Sequence, residues 1–289
     1  MLHGAIIHPA KPDESFINSL HAIGGVKWET ITPSINLNFF GSPEHLIPAH
    51  CNLAVILDPE FTTFAFLSFL VRRGCHLFLT ERQLMGSAER EKLIQLAEEG
   101  NTFIQTRNDF FVHPAFVGNG KGQLESKLID IHQVAPGRPG ALQEMLYSNL
   151  IMILKIVHSE PSRISVCAIP HTGYQPDVVN LHLNFHNGSA ASLTLSFVGK
   201  EKSHVFSVHD QNGVVNFNFT GKDYHQDITQ SAKTVDLPSD NQLLFKQVSL
   251  FTESILKKAF HQMGLNDEAN TFRLIEKINR KLEFSSVLI

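Results

Sequence analysis

The chain has 289 residues, 43% hydrophobic and 18% charged, which suits a globular protein of two ordinary domains and excludes a disordered one. A net charge of −4 with no basic stripe argues against a nucleic-acid binder. The most apolar stretch, residues 61–71, is too short to span a bilayer. No signal peptide is visible at the N-terminus, and Cys51, Cys75 and Cys167 are widely spaced in apolar runs. That usage predicts reduced core thiols in a cytoplasmic protein rather than a disulfide framework.

Through the first hundred residues, short apolar strands are predicted at 5–7, 28–32, 53–57, 76–80 and 102–106. Helical patterns lie between them. Phe16, Ile17, Leu20 and Ile23 share one face, as do Phe61, Phe64, Ala65, Leu67 and Val71, with Gly74 as a natural stop. Ser87 is placed to cap a third helix with Leu93, Ile94, Leu96 and Ala97 inward and Gly100 at its end. Such alternation predicts βαβ units on a parallel sheet.

The character changes at "GNGKG", residues 118–122, which divides the chain into a domain over 1–118 and another over 119–289. A strand near residues 124–132 precedes a helix over 141–157. Long strands follow, joined by turns at Asn187-Gly188 and Asn212-Gly213, a pair that suits a type I′ hairpin. Helices over 241–263 and 268–282 close the chain. The fold class is therefore α/β plus α+β: a Rossmann-like parallel sheet, then a domain with a large open, mainly antiparallel sheet.

In a dinucleotide-binding fold, glycines in the first strand-to-helix turn admit the pyrophosphate to the helix N-terminus. Here the turn reads His8-Pro9-Ala10-Lys11-Pro12-Asp13. The prolines remove backbone donors. Asp13 and Glu14 put negative charge where the phosphate would sit, and they are better placed to cap the helix themselves. The second strand ends in Thr32 and Pro33, without the acid that would hold an adenosine ribose.

From about residue 50 onward the sequence resembles the Gfo/Idh/MocA family of NAD(P)-dependent sugar oxidoreductases. The likeness is carried by "NLAVILDPEFTTFAFLSFLVRRGCHLFLTERQ", "FFVHPAF", "PGALQEMLYSNLIMILKIVHSEP", "DVVNLHLNFHNGSAASLTLSF" and "NDEANTFRLIEKINRKLEFSSVLI", in the family's order and spacing. The resemblance implies a Rossmann domain, a sheet domain whose open face often joins subunits, and a substrate site between them. His8, Pro9, Ala10, Lys11 and Asp58 then fall in the cofactor region, and Arg107, Asp109 and His113 in the substrate cleft. The family's Glu-Lys-Pro becomes Glu81-Arg82-Gln83. Arg82 keeps a charge but is a poor acid or base. The family's catalytic Asp and His correspond to Glu144 and Ser148 in one register, or to Met145 and Asn149 in the other, and neither has the histidine. Tyr147 could donate a proton, although packing is the plainer role. "QVAPGRP" is shorter than the corresponding excursion that lines the family's substrate pocket.

The candidate catalytic residues are thus Glu81, Arg82, Tyr147 and Asn149. His182, Asn184 and His186 alternate along one strand, but no third metal ligand is legible, so no metal is expected. These readings predict a degenerate family member that has lost cofactor binding and binds a sugar-like ligand or serves in assembly. No cofactor is expected, nor a nucleic-acid or membrane partner, but a homo-oligomer through the open sheet face is. The rivals are an active NAD- or NADP-dependent sugar or inositol dehydrogenase with a divergent site, and a structural subunit paired with a catalytic relative.

Overall fold

The computed structural model describes residues 1–8, 14–31, 47–80, 86–108, 126–136, 141–170, 176–211, 213–218, 223–228, 231–236, 240–258 and 265–286. The chain forms two compact units, Met1–His113 with Pro238–Ala269, and Pro114–Leu237 with Asn270–Ile289.

The first unit is built on five parallel strands, β1 (Leu2–Ile7), β2 (Val26–Ile31), β3 (Leu53–Ile56), β4 (His76–Leu79) and β5 (Ile104–Thr106). Their order is β2-β1-β3-β4-β5, so the winding direction reverses between β1 and β3. Helices α1 (Glu14–His21), α2 (Phe64–Arg72) and α3 (Ser87–Glu99) connect them. The central strands β3 and β4 read as apolar runs because both their faces are covered. Ala5, Ile7, Ala54, Ile56, Leu77 and Leu79 pack with Leu67, Leu70 and Val71 of α2 and Leu93 of α3. Ile6, Leu53, Val55 and Phe78 point the other way, onto Phe16, Ile17 and Leu20 of α1.

That second face is completed by α5 (Asp240–Lys257), whose Leu244, Val248, Phe251 and Ile255 join the same core. The sequence reading ran one continuous domain over 119–289. The contacts instead group Pro238–Ala269 with the first unit. The physical reason is the apolar stripe of α5, since each fully buried side chain of this size contributes about 1.5–3 kcal/mol.

Local details differ from the expected pattern. Phe61 lies in a separate 3-10 turn, Pro59–Phe61, whose first N–H is capped by Asp58. Helix α2 starts only at Phe64, with Thr63 accepting from the Phe66 N–H, and Ala65 is exposed. At α3 the cap residue is Gly86 rather than Ser87, and the Gly86 N–H donates to the Glu89 carboxylate at 3.3 Å. Gly74 has φ +76°, as a left-handed helix stop requires.

The second unit carries an eight-stranded sheet in the order β13-β12-β11-β10-β6-β9-β8-β7. Its strands are β6 (Leu128–Val134), β7 (Pro161–Pro170), β8 (Pro176–Phe185), β9 (Ala190–Ser196), β10 (Ser203–Asp210), β11 (Gly213–Asn218), β12 (Asp223–Ile228) and β13 (Ser231–Asp236). Only β6 and β9 pair in parallel. Ile129, Ile131, Val179, Leu181, Leu183, Leu193, Leu195, Phe206 and Phe217 are buried on one face. Alternate residues, among them Asp130, His132, His182, Asn184 and Val205, are exposed on the other. Helices α4 (Leu142–Val157) and α6 (Leu265–Ser286) complete the unit from Asn270 on, with Tyr147 and Phe272 ring centroids 5.1 Å apart.

The β8–β9 connection corrects the turn type. Only Gly188 has positive φ, so the turn is not type I′, which needs it at both central residues. A three-residue connection, His186 to Gly188, forms instead, with the Phe185 N–H donating to the Ser189 carbonyl. Asn187 serves through its side chain, accepting from Ser189 N and donating to the Val157 carbonyl. Asn212 lies outside the described residues.

Candidate functional site

In a sheet wound both ways from one point, the crevice for a ligand opens outside the carboxyl ends of the strands, where the order reverses. In the first unit that point lies between β1 and β3. His8 follows β1, is 2% exposed, and donates its backbone N–H to the Ile31 carbonyl at 3.3 Å. Asp58 follows β3, and the Leu57 N–H donates to the Ile7 carbonyl at 2.7 Å, holding the two strand ends side by side. Thr80 follows β4, with its hydroxyl on the Ile56 carbonyl. Arg107 follows β5, half-buried, its backbone N–H on the Leu79 carbonyl at 2.7 Å. The next N–H, of Asn108, donates to Gln247 Oε1 of α5 at 2.7 Å.

The fold thus brings His8, Asp58 and Arg107 to the ends of nearby strands along one edge. Pro9, Ala10, Lys11, Asp13, Glu81, Arg82, Asp109 and His113 lie outside the described residues. Several groups in the described part of this edge are acidic or already bonded. Glu14 opens α1 and would face a pyrophosphate with like charge. The Asp58 carboxylate accepts from the Glu60 N–H at 3.0 Å. Glu29, the one acid of β2, is paired with His50 at 3.1 Å. The edge thus carries an imidazole, a carboxylate, a hydroxyl and a guanidinium, on His8, Asp58, Thr80 and Arg107.

The second unit holds the other candidates, on α4. Tyr147 is 4% exposed and packs against Phe272, in keeping with the packing role. Asn149 is wholly buried. Its Nδ2 donates to Gln133 Oε1 at 2.6 Å and to the Met145 carbonyl at 2.7 Å. A carbonyl can only accept, so this contact fixes the amide's orientation and leaves Oδ1 as an acceptor. His204 Nε2 lies 3.0 Å from Oδ1 and must be the donor. Gln133 and His204 are register partners on β6 and β10, so the sheet presents both to the helix at one level.

Burial pushes the His204 pKa down to about 4, so its ring is neutral at ordinary pH. Both Asn149 protons are committed, and an amide is no base. In the alternative register, Glu144 is exposed and the Ser148 hydroxyl donates to the Met145 carbonyl at 3.2 Å. Both registers lack the histidine, and the carboxylate that one of them offers, Glu144, is exposed.

Sequence reasoning missed Gln133 and His204. The signal was the period of "HVFSV", which places His204 on the same face as Phe206, where a histidine must find a partner. His182 and Asn184 are exposed on β8, whereas His186 sits in the following turn. Cys51 and Cys75 are buried as expected, but Cys167 is exposed on β7. Among the described residues, no group of three or more metal-binding side chains is present, and no helix is long and apolar enough to cross a membrane.

No family model matches the chain. A curated UDP-N-acetylglucosamine 3-dehydrogenase from Acidithiobacillus ferrooxidans is 20% identical over 201 residues, covering 68% of this chain and 64% of that protein's length. The solved structure of that enzyme superposes with a TM-score of 0.73 at 16% identity, covering 96% and 97% of the two chains. A dehydrogenase from Clostridium difficile gives 0.74 at 13% identity, over 97% and 99%. Biliverdin reductase from Synechocystis, solved with biliverdin and NADP+, gives 0.63 at 14%, over 96% and 98%. The parallel five-stranded unit and the mainly antiparallel second sheet form the Gfo/Idh/MocA fold, so the resemblance read from the sequence holds at the level of the fold.

Proposed function

We propose that this chain is a dehydrogenase-fold protein that has lost dinucleotide binding and hydride transfer, and that it holds a small sugar-like ligand at the carboxyl edge of its first sheet. The observation that carries the reading is Asn149. In the register that aligns it with the family's histidine, it is sealed from solvent with its amide protons spent on Gln133 and Met145. The histidine beside it is too weak a base to accept a hydroxyl proton near neutral pH. Glu14 at the start of α1 supports the loss of the pyrophosphate site. The sugar-like ligand is supported by the curated relative, named for a sugar nucleotide. Assembly through the exposed face of the second sheet is a compatible role.

The second reading is an active NAD- or NADP-dependent dehydrogenase with a divergent cofactor site. It is favoured by the strand reversal between β1 and β3, where dehydrogenases of this fold class hold their cofactor.

Thermal unfolding with NAD(H), NADP(H), UDP-N-acetylglucosamine and a panel of free sugars and inositols separates the two. A ligand at about 100 times its dissociation constant stabilises by about 2.7 kcal/mol. The first reading expects a shift with a sugar or sugar nucleotide and none with nicotinamide nucleotides. A nucleotide shift, together with reduced-cofactor absorbance appearing on addition of a sugar, would establish the second.

A further inference from the structure

Cys51 and Cys75 take no part in the site above, yet their sulfurs meet in the core of the first unit, 3.7 Å apart. Cys51 stands just before β3 and Cys75 just before β4, and these strands pair in parallel from Leu53 and His76. The ladder already reaches back to this level, because the His76 N–H donates to the Asn52 carbonyl at 2.9 Å. Side chains on adjacent strands at nearly the same level fall within the span that a disulfide bridges. The backbone is anchored on both sides, Cys51 N on the Pro48 carbonyl and Cys75 N on the Leu70 carbonyl. Closing the sulfurs to about 2.0 Å therefore asks for rotation of side chains more than movement of strands.

We propose that Cys51 and Cys75 are a thiol-oxidation site, forming a reversible intramolecular disulfide with hydrogen peroxide or a similarly small peroxide. The roles of the two sulfurs follow from their surroundings. Hydrogen bonding from Cys75 draws the Cys51 thiol below its ordinary value against the opposing effect of burial, with smaller help from the Leu53 and Ala5 backbone and from Arg73. Cys75 is pushed well up, by the same bond and by burial. Cys51 is 6% exposed and Cys75 not at all. The Cys51 thiolate attacks one peroxide oxygen, giving a sulfenic acid and releasing hydroxide. The Cys75 sulfur then displaces the sulfenic oxygen as water. In total two thiols and one peroxide give one disulfide and two waters.

The bond would tie the amino ends of β3 and β4, enclosing the 3-10 turn and α2, at the opposite end of the strands from Asp58 and Thr80. This is the transient, redox-responsive kind of disulfide that a reducing compartment allows.

The test uses the folded full-length chain carrying Cys167→Ser, which removes the exposed thiol, with the unsubstituted chain mapped in parallel. After peroxide treatment, both remaining thiols are expected to disappear together and the intact mass to fall by two hydrogens. Proteolysis should yield a linked Cys51–Cys75 peptide pair, and dithiothreitol should restore the thiols. The unfolding midpoint of the oxidised form should rise, since the bond shortens the loops open to the unfolded chain. The proposal is overturned if the thiols survive in the folded chain but react once it is unfolded in urea. It is equally overturned if Cys51 alone is oxidised while Cys75 stays free.

Discussion

His204 on β10 donates its Nε2 proton to Oδ1 of Asn149 on α4, across 3.0 Å. The bond requires no ring charge, and burial holds the pKa at about 4, against about 6.5 in a free chain. Between these values the unfolded chain binds the proton and the folded one does not. The contribution of His204 is therefore complete above about pH 6.5 and lost as pH falls through that window, to a total of about 3 kcal/mol. Burial lowers the pKa of His76 in the first unit as well, adding to the same slope. Urea unfolding from neutral pH down to about pH 4 should show the decline, and His204→Gln should flatten part of it. An unchanged slope in that variant would remove His204 as its source.

Asn149→Leu should destabilise by about 2–4 kcal/mol, because it leaves the Gln133 oxygen and the His204 N–H buried without this partner. Replacing Gln133, Asn149 and His204 together with apolar residues should cost less than the sum of the three single changes. Urea midpoints of the single and triple variants check this.

Gly4 on β1 lies opposite Trp28 on β2. A Cβ there would stand 2.4 Å from Trp28 Cε3 and 2.8 Å from Val26 Cγ1. Both neighbours belong to the packed strand, so little relief is available. Gly4→Ala is expected to cost about 3 kcal/mol or more by overpacking. A thermal midpoint equal to that of the parent chain would show that the strands can separate to admit a methyl group.

Phe251 of α5 packs against Phe78 of β4, ring centroids 5.7 Å apart. Phe251→Ala should cost about 3–5 kcal/mol. Hydrogen exchange should report the loss in β1, β3 and β4, with the second sheet spared. Protection lost in the second sheet alone would contradict the grouping of α5 with the first unit.

The parallel sheet was legible because its strands are buried on both faces, and apolar runs such as Leu53–Ile56 cannot be mistaken for solvent-facing alternation. The antiparallel sheet was legible from the two-residue period of β8. The partner of α5 was not, because an apolar stripe declares that a helix is covered without saying by what. The Asn187 turn misled because Asn-Gly specifies a type I′ turn only when the strands pair up to the dipeptide on both sides, and here the register closes at Phe185 and Ser189, which puts three residues in the turn. At the candidate site, His8, Asp58 and Arg107 were named from the resemblance, and they stand at strand ends. The link from Asn149 to Gln133 and His204 joins the consecutive β6 and α4 to the more distant β10, and only the fold brings the three together.

The grouping of α5 with the first sheet has a consequence for how this protein comes into being. As the chain leaves the ribosome, Ile6, Val55 and Phe78 are made early, yet the face that α1 covers in part is not completed until α5 has followed the described strands out. The second unit waits as well, because α6, with Leu274, Ile275 and Ile278 buried, comes later still. Neither half can finish on a first-made, first-folded schedule. A ribosome stalled before the last two helices would hold two incompletely covered sheets on one nascent chain, the state in which such surfaces most readily find the wrong partner.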